Sequence, residues 1–135
     1  MMPARDLADH DYRTLATFRH ELRRFLRFSE RAAKQAGITA QQYQALLAIR
    51  ASPASTMLVG ELAGQLMIRP HSATELIDRL ERLELIERCP ATQDRRQVSV
   101  TLTGRARDLL VSLASSHRVE LKRLGPQVAD LLSRL

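Results

Sequence analysis

Residues 85–103, LIERCPATQDRRQVSVTLT, restrict the fold more than any other segment of the chain. Val98, Val100 and Leu102 alternate with Gln97, Ser99 and Thr101, the period of two expected of a half-buried strand. The stretch ending in Pro90 reads as a second short strand, and the polar run holding Asp94-Arg95-Arg96 reads as the tip between them. Directly upstream, Arg69 to Arg88 reads as an amphipathic helix running into the first strand. A helix followed by a basic-tipped hairpin is the element order of a winged helix-turn-helix. A narrow minor groove concentrates negative potential and attracts guanidinium groups, so such a tip suits double-stranded DNA.

A length of 135 residues predicts one compact domain, with 1–36 and 104–135 as dimerisation helices around a reader at 39–103. The chain is 44% apolar but only 4% aromatic, so its core must be built from Leu, Ala, Val and Ile. The net charge of +6 favours a polyanionic partner. Of the 21 basic residues 19 are Arg, a better fork for phosphate than Lys, although a GC-rich genome enriches Arg as well.

The single cysteine, Cys89, excludes an intrachain disulfide framework and a four-thiolate metal site. No apolar run approaches the ~20 residues of a membrane span, and the N-terminus lacks a signal-peptide core, so a cytoplasmic protein without a membrane partner is expected. There is no phosphate-cradling glycine loop, nucleophile elbow or His-Glu metal helix, so no enzyme, cofactor or metal is expected.

Leu15, Phe18, Leu22, Phe25, Ser29, Ala32 and Ala36 recur at three- and four-residue steps, predicting a helix from about Asp9 to Ala36 that Gly37 stops. Such a helix is roughly 40 Å long, more than one small domain can bury, so a second copy of the chain is the expected cover. Arg19, Arg23, Arg27 and Arg31 step by four along another face, the pattern of a solvated surface. Thr39 and Gln42 form a capping box opening a second helix that ends before Ser52-Pro53. A short strand is expected at Ser55 to Met57 and a short third helix from about Leu58. Pro70 suits the first position of the fourth helix, where its missing N–H is no loss. Thr103 is expected to cap a fifth helix that Gly125-Pro126 breaks, leaving a final short helix with Leu131 and Leu135.

Glu61-Leu62-Ala63 in the third helix, Asp78-Arg79-Leu80-Glu81 in the fourth, and Asp94-Arg95-Arg96 followed by Leu102-Thr103 resemble the MarR family of bacterial transcription regulators. The resemblance covers nearly the whole chain. It implies a mainly α fold with a β-hairpin wing, a homodimer held by terminal helices, a pseudo-palindromic operator, and ligand-responsive repression. The sequence departs from the family pattern at three places. Arg69 stands where Ser or Thr usually precedes the recognition helix, Glu84 where Gly usually follows it, and Ala106 where Gly often follows Leu-Thr.

In this reading Arg69, Pro70, His71, Ser72, Thr74 and Arg79 belong to the DNA-reading helix, with Arg95 and Arg96 on the wing. The first turns of such a helix reach base edges, where hydroxyls and imidazole can donate and accept. The resemblance pairs Asp78 with a wing arginine, here Arg96, as the anchor between wing and helix. It puts a small-molecule effector near Phe18, Leu22, Phe25, Tyr43 and Leu47, residues that also suit a plain core. Leu15, Leu22, Leu131 and Leu135 are the expected dimerisation positions. Cys89 does not match the family's peroxide-sensing position, and Gln41-Gln42 replace the acid-histidine pair of its zinc sensors, despite His10, His20 and His117 elsewhere. The competing function is a winged helix used for protein contact; two wing arginines and a polar start to the fourth helix favour DNA.

Overall fold

The computed structural model describes residues 6–90 and 97–135. Its elements are α1 (Asp9–Gln35), α2 (Ala40–Ala51), β1 (Thr56–Leu58), α3 (Val59–Leu66), α4 (Pro70–Arg82), β2 (Ile86–Pro90), β3 (Val98–Leu102) and α5 (Gly104–Ser133). Local chemistry sets most boundaries. The Asp11 carboxylate accepts from the Ala8 N–H at 3.0 Å, and both halves of the Thr39–Gln42 box form, at 3.0 and 3.1 Å. The Thr103 hydroxyl accepts from the Ala106 N–H at 3.2 Å and starts α5. Each bond satisfies an N–H that a helix start leaves unpaired.

Three helices end in the same way. After α1, α3 and α4, one residue turns left-handed and two backbone N–H groups bond back to the last turn. After α4, Glu84 N–H reaches the Glu81 carbonyl at 2.9 Å and Leu85 N–H reaches that of Leu80 at 3.0 Å. The left-handed residues are Gly37 (φ +86°), Met67 (φ +56°) and Glu84 (φ +59°), so only the first has the residue that suits the backbone. The departure at Glu84 therefore keeps the turn and accepts its strain.

The sheet is antiparallel in the order β1-β3-β2, with Met57 opposite Val100 and Arg88 also opposite Val100. The short strand before α3 starts one residue later than expected. Alternation buries Val100 and Leu102 beneath the sheet, where they join Leu46, Ile49, Leu62, Ile77, Leu80 and Ile86 in one core. That core fixes α4 and the wing strands on a common base. α1 and α5 pack together beside it.

One expectation is overturned. α5 continues through Gly125 and Pro126 to Ser133, and there is no separate final helix. Proline removes one helical hydrogen bond and crowds the carbonyl four residues back, that of the exposed Lys122, which solvent can reach. Leu121, Leu124 and Val128 stay in phase on both sides of Pro126 and line an apolar cavity together with Phe18, Leu22 and Phe25 of α1, so the apolar stripe runs on across the proline. No helix among the described residues is long and apolar enough to cross a membrane.

Candidate nucleic-acid interface

α4 is amphipathic in the sense a reader requires. Ala73, Leu76, Ile77 and Leu80 are buried, while Arg69, Pro70, His71, Ser72, Thr74, Glu75 and Arg79 face outward. Arg69 occupies the cap position without a side-chain cap, and Pro70 is the first helical residue. The first-turn N–H groups thus stay open to an anion at the positive end of the helix dipole. The His71 Nε2 lies 3.1 Å from a Glu75 carboxylate oxygen, and the Thr74 hydroxyl donates to the Pro70 carbonyl at 3.1 Å. Ser72 makes no side-chain hydrogen bond among the described residues. The six helix residues expected at the interface are all exposed. Arg95 and Arg96 lie outside the described residues.

The wing is held to α4 by a contact the sequence reading missed. Asp78 and Glu81, three apart and hence on one side of α4, both accept from Arg88 of β2. The Glu81 contact measures 2.8 Å. The hydrogen bond from Arg88 holds the Asp78 carboxyl below the usual carboxylate range; partial desolvation opposes the shift, and the fields of Arg88 and Arg82 reinforce it. The same bond raises the Arg88 guanidinium, which stays charged. The Asp78–Arg96 pair implied by the resemblance involves a residue outside those described. The available signal was the Asp78/Glu81 spacing facing a strand with a cation at its midpoint.

Between wing and reader lies a cleft of about 530 Å³, bordered by Glu61 of α3, Thr74 of α4, Val98 of β3 and Gln97 just before it. Its walls combine hydroxyl, amide and carboxylate groups beside the Arg88 clamp.

The residues expected around an effector divide into two groups. Phe18, Leu22 and Phe25 line an apolar cavity of about 280 Å³ with Leu121, Leu124 and Val128. Tyr43 is buried elsewhere and stacks on His117 at 4.4 Å between ring centroids, while Leu47 is exposed. His117 donates from Nδ1 to the Leu113 carbonyl at 2.8 Å, which leaves Nε2 to pair with the Ser29 hydroxyl at 2.9 Å. The carbonyl can only accept, so this contact fixes the proton on Nδ1. Burial pushes the Tyr43 phenol up. His117 joins α1, α2 and α5 at one point, a role visible only in its place within the stripe Leu110, Leu113, His117, Leu124. Leu15 and Leu22 are each 42% exposed and Leu135 is 60% exposed; Leu131 is half-buried. Among the described residues, no three of His, Cys, Asp or Glu are grouped to hold a metal ion. Cys89 is exposed on β2.

A family profile described as the MarR family matches residues 36–97, the span from the end of α1 to the start of β3. Over that span the chain is similar to the MarR family. Its helix-turn-helix and wing are the winged-helix architecture of MarR proteins of known structure. AbsC, a MarR family transcriptional regulator from Streptomyces coelicolor, superposes with a TM-score of 0.77 at 23% identity, covering 89% of this chain and 81% of AbsC. The Staphylococcus aureus MepR–DNA complex superposes at 0.63 and 22% identity, covering 89% and 94%. Both likenesses concern the fold. In sequence, the transcriptional activatory protein BadR of Rhodopseudomonas palustris is 39% identical over 85 residues, 62% of this chain and 49% of BadR. The chain thus matches about half the length of that curated relative.

Proposed function

We propose that this chain is a DNA-binding transcription regulator of the MarR family, a homodimer that reads a pseudo-palindromic operator and acts as a ligand-responsive repressor. The observation that carries this reading is the outward face of α4. His71, Ser72 and Thr74 stand exposed on its first turns, while Ala73, Leu76 and Ile77 tie the same turns to the core. A rigid helix presenting short polar side chains suits a major groove, where every base pair offers a distinct donor and acceptor pattern. The Arg88 clamp supports the reading by fixing the wing against that helix, and Arg95 is proposed for the minor groove. A MepR structure in complex with DNA shares the fold, which adds support. Exposed Leu15, Leu22 and Leu26 on one side of α1 support a homodimer, since lone apolar stripes on long helices call for a partner. Repression follows if the bound dimer occludes a promoter, in the cytoplasm of a bacterial cell; BadR is named for the opposite sign.

The test is footprinting on DNA selected by the purified protein, together with light scattering. Two half-sites spaced by about 10–10.5 bp or a multiple are expected, with affinity falling roughly 10³-fold or more from ~50 to ~200 mM salt. His71 and Ser72 substitutions should change the preferred bases. A monomer at micromolar concentration, or a chain that selects no DNA, overturns the reading. A reporter gene fused to the selected site then decides between repression and activation.

A further inference from the structure

α1 and α5 enclose a second cleft, of about 430 Å³, on the opposite side of α1 from its exposed leucines. Its α1 wall is His20, Arg24, Arg27, Phe28 and Arg31; Glu120 and Arg123 supply the α5 wall. At 100° per residue the four basic α1 residues centre roughly 150° around the helix from Leu15, Leu22 and Leu26, so a dimer formed through those leucines leaves the cleft open.

The charges do not cancel. Arg24 pairs with Glu21 at 3.4 Å and Arg123 pairs with Glu120, an interlocked set of two cations and two anions across the helix contact. Arg27 and Arg31 form no salt bridge among the described residues. Like charges four apart on a helix repel, and these two also share the cleft with Arg24 beside them on α1 and Arg123 on α5. The cleft therefore carries two uncompensated guanidinium groups one helical turn apart. Two forks side by side match a tetrahedral phosphate group, whose several oxygens can fill both, better than a single carboxylate.

We propose that the α1–α5 cleft is a binding site for a small phosphate-bearing anion, held by Arg27 and Arg31 against Phe28. The site is separate from the α4 surface and from the apolar cavity on the other side of α1. Phe28 meets His117 edge-on with centroids 5.3 Å apart, and His117 stacks on Tyr43, so a ligand on Phe28 sits two ring contacts from α2.

Inorganic pyrophosphate, titrated calorimetrically into the 135-residue chain at constant ionic strength, tests the site. Saturable binding is expected in the unmodified protein. The double variant Arg27→Gln/Arg31→Gln should lose about tenfold or more in affinity for each arginine, the scale of a charge-assisted hydrogen bond. Arg19→Gln/Arg23→Gln, the same charge change outside the cleft, should bind pyrophosphate as the unmodified protein does. An unmodified protein without saturable heat, or a control pair that loses as much as the cleft pair, overturns the proposal. So does a cleft variant that loses DNA affinity as steeply without pyrophosphate, since the cleft would then be a DNA contact. If the unmodified protein binds no DNA, the proposed function fails while the titration still decides the cleft.

Discussion

Replacing Glu84 by Gly should make the protein more stable, although the position is exposed and lies outside the hydrophobic core. Glu84 holds φ at +59°, where a side chain crowds the backbone at a cost of about 1–2 kcal/mol. Its turn cannot relax, because Leu85 N–H is bound to Leu80 and the Thr103 hydroxyl donates to the Glu84 carbonyl at 2.8 Å. Gly removes the crowding but adds about 0.4–1 kcal/mol of unfolded-chain entropy to be lost on folding. The side chain contributes little: its nearest cation, Arg105, lies at 3.9 Å with both groups mostly exposed. The balance is a gain of about 0.5–1 kcal/mol, or roughly 2–6 °C in midpoint for a domain of this size. Glu84→Ala separates backbone from side chain, because Ala keeps the left-handed strain; it should stay within about 0.5 kcal/mol of the unmodified protein. Thermal and urea unfolding at one fixed protein concentration measure both variants, since association would otherwise shift the midpoint. If Ala stabilises as much as Gly, the strain argument is wrong and the carboxylate itself is the cause.

Arg88→Ala should weaken DNA binding even though Arg88 is committed to two carboxylates, because Asp78 and Glu81 would then face the phosphates uncompensated and the wing would lose its anchor; binding unchanged across a salt series refutes this. Asp78 also predicts an acid dependence. Its carboxyl sits below the usual range in the folded protein, so the stability it adds is fully present above the unfolded value of about 4 and is lost as pH falls through the lower folded value. Urea midpoints between pH 5 and 2 should therefore fall less steeply for Asp78→Asn than for the unmodified protein, and parallel curves would count against the clamp. Ile77→Ala empties a fully buried site beneath the reading surface and should cost about 2–5 kcal/mol, read as a lower urea midpoint with the slope unchanged.

The sequence by itself determined what depends on neighbours within one or two turns. The alternation of Val98, Val100 and Leu102, the Thr39–Gln42 box, Pro70 at the start of α4 and the Thr103 cap were all legible, since each rests on side chains and backbone groups at most four residues apart. The exposed face of α4 followed from the same periodicity. Tertiary structure decided the partners. Pro126 reads locally as a break, yet α5 continues, with Leu121, Leu124 and Val128 on one side of it facing Phe18, Leu22 and Phe25 of α1. Asp78 could be given a wing arginine only by analogy; the strand register, with Arg88 opposite Val100, is what brings that guanidinium to Asp78 and Glu81. His117 looked like a stray imidazole until the crossing of α1 and α5 set it between Ser29 and Tyr43. The same crossing turned part of a basic stripe, Arg27 and Arg31, into the wall of a cleft. Helix-crossing angle and strand register are settled by the packing of the whole core, and no window of sequence shorter than the domain contains them.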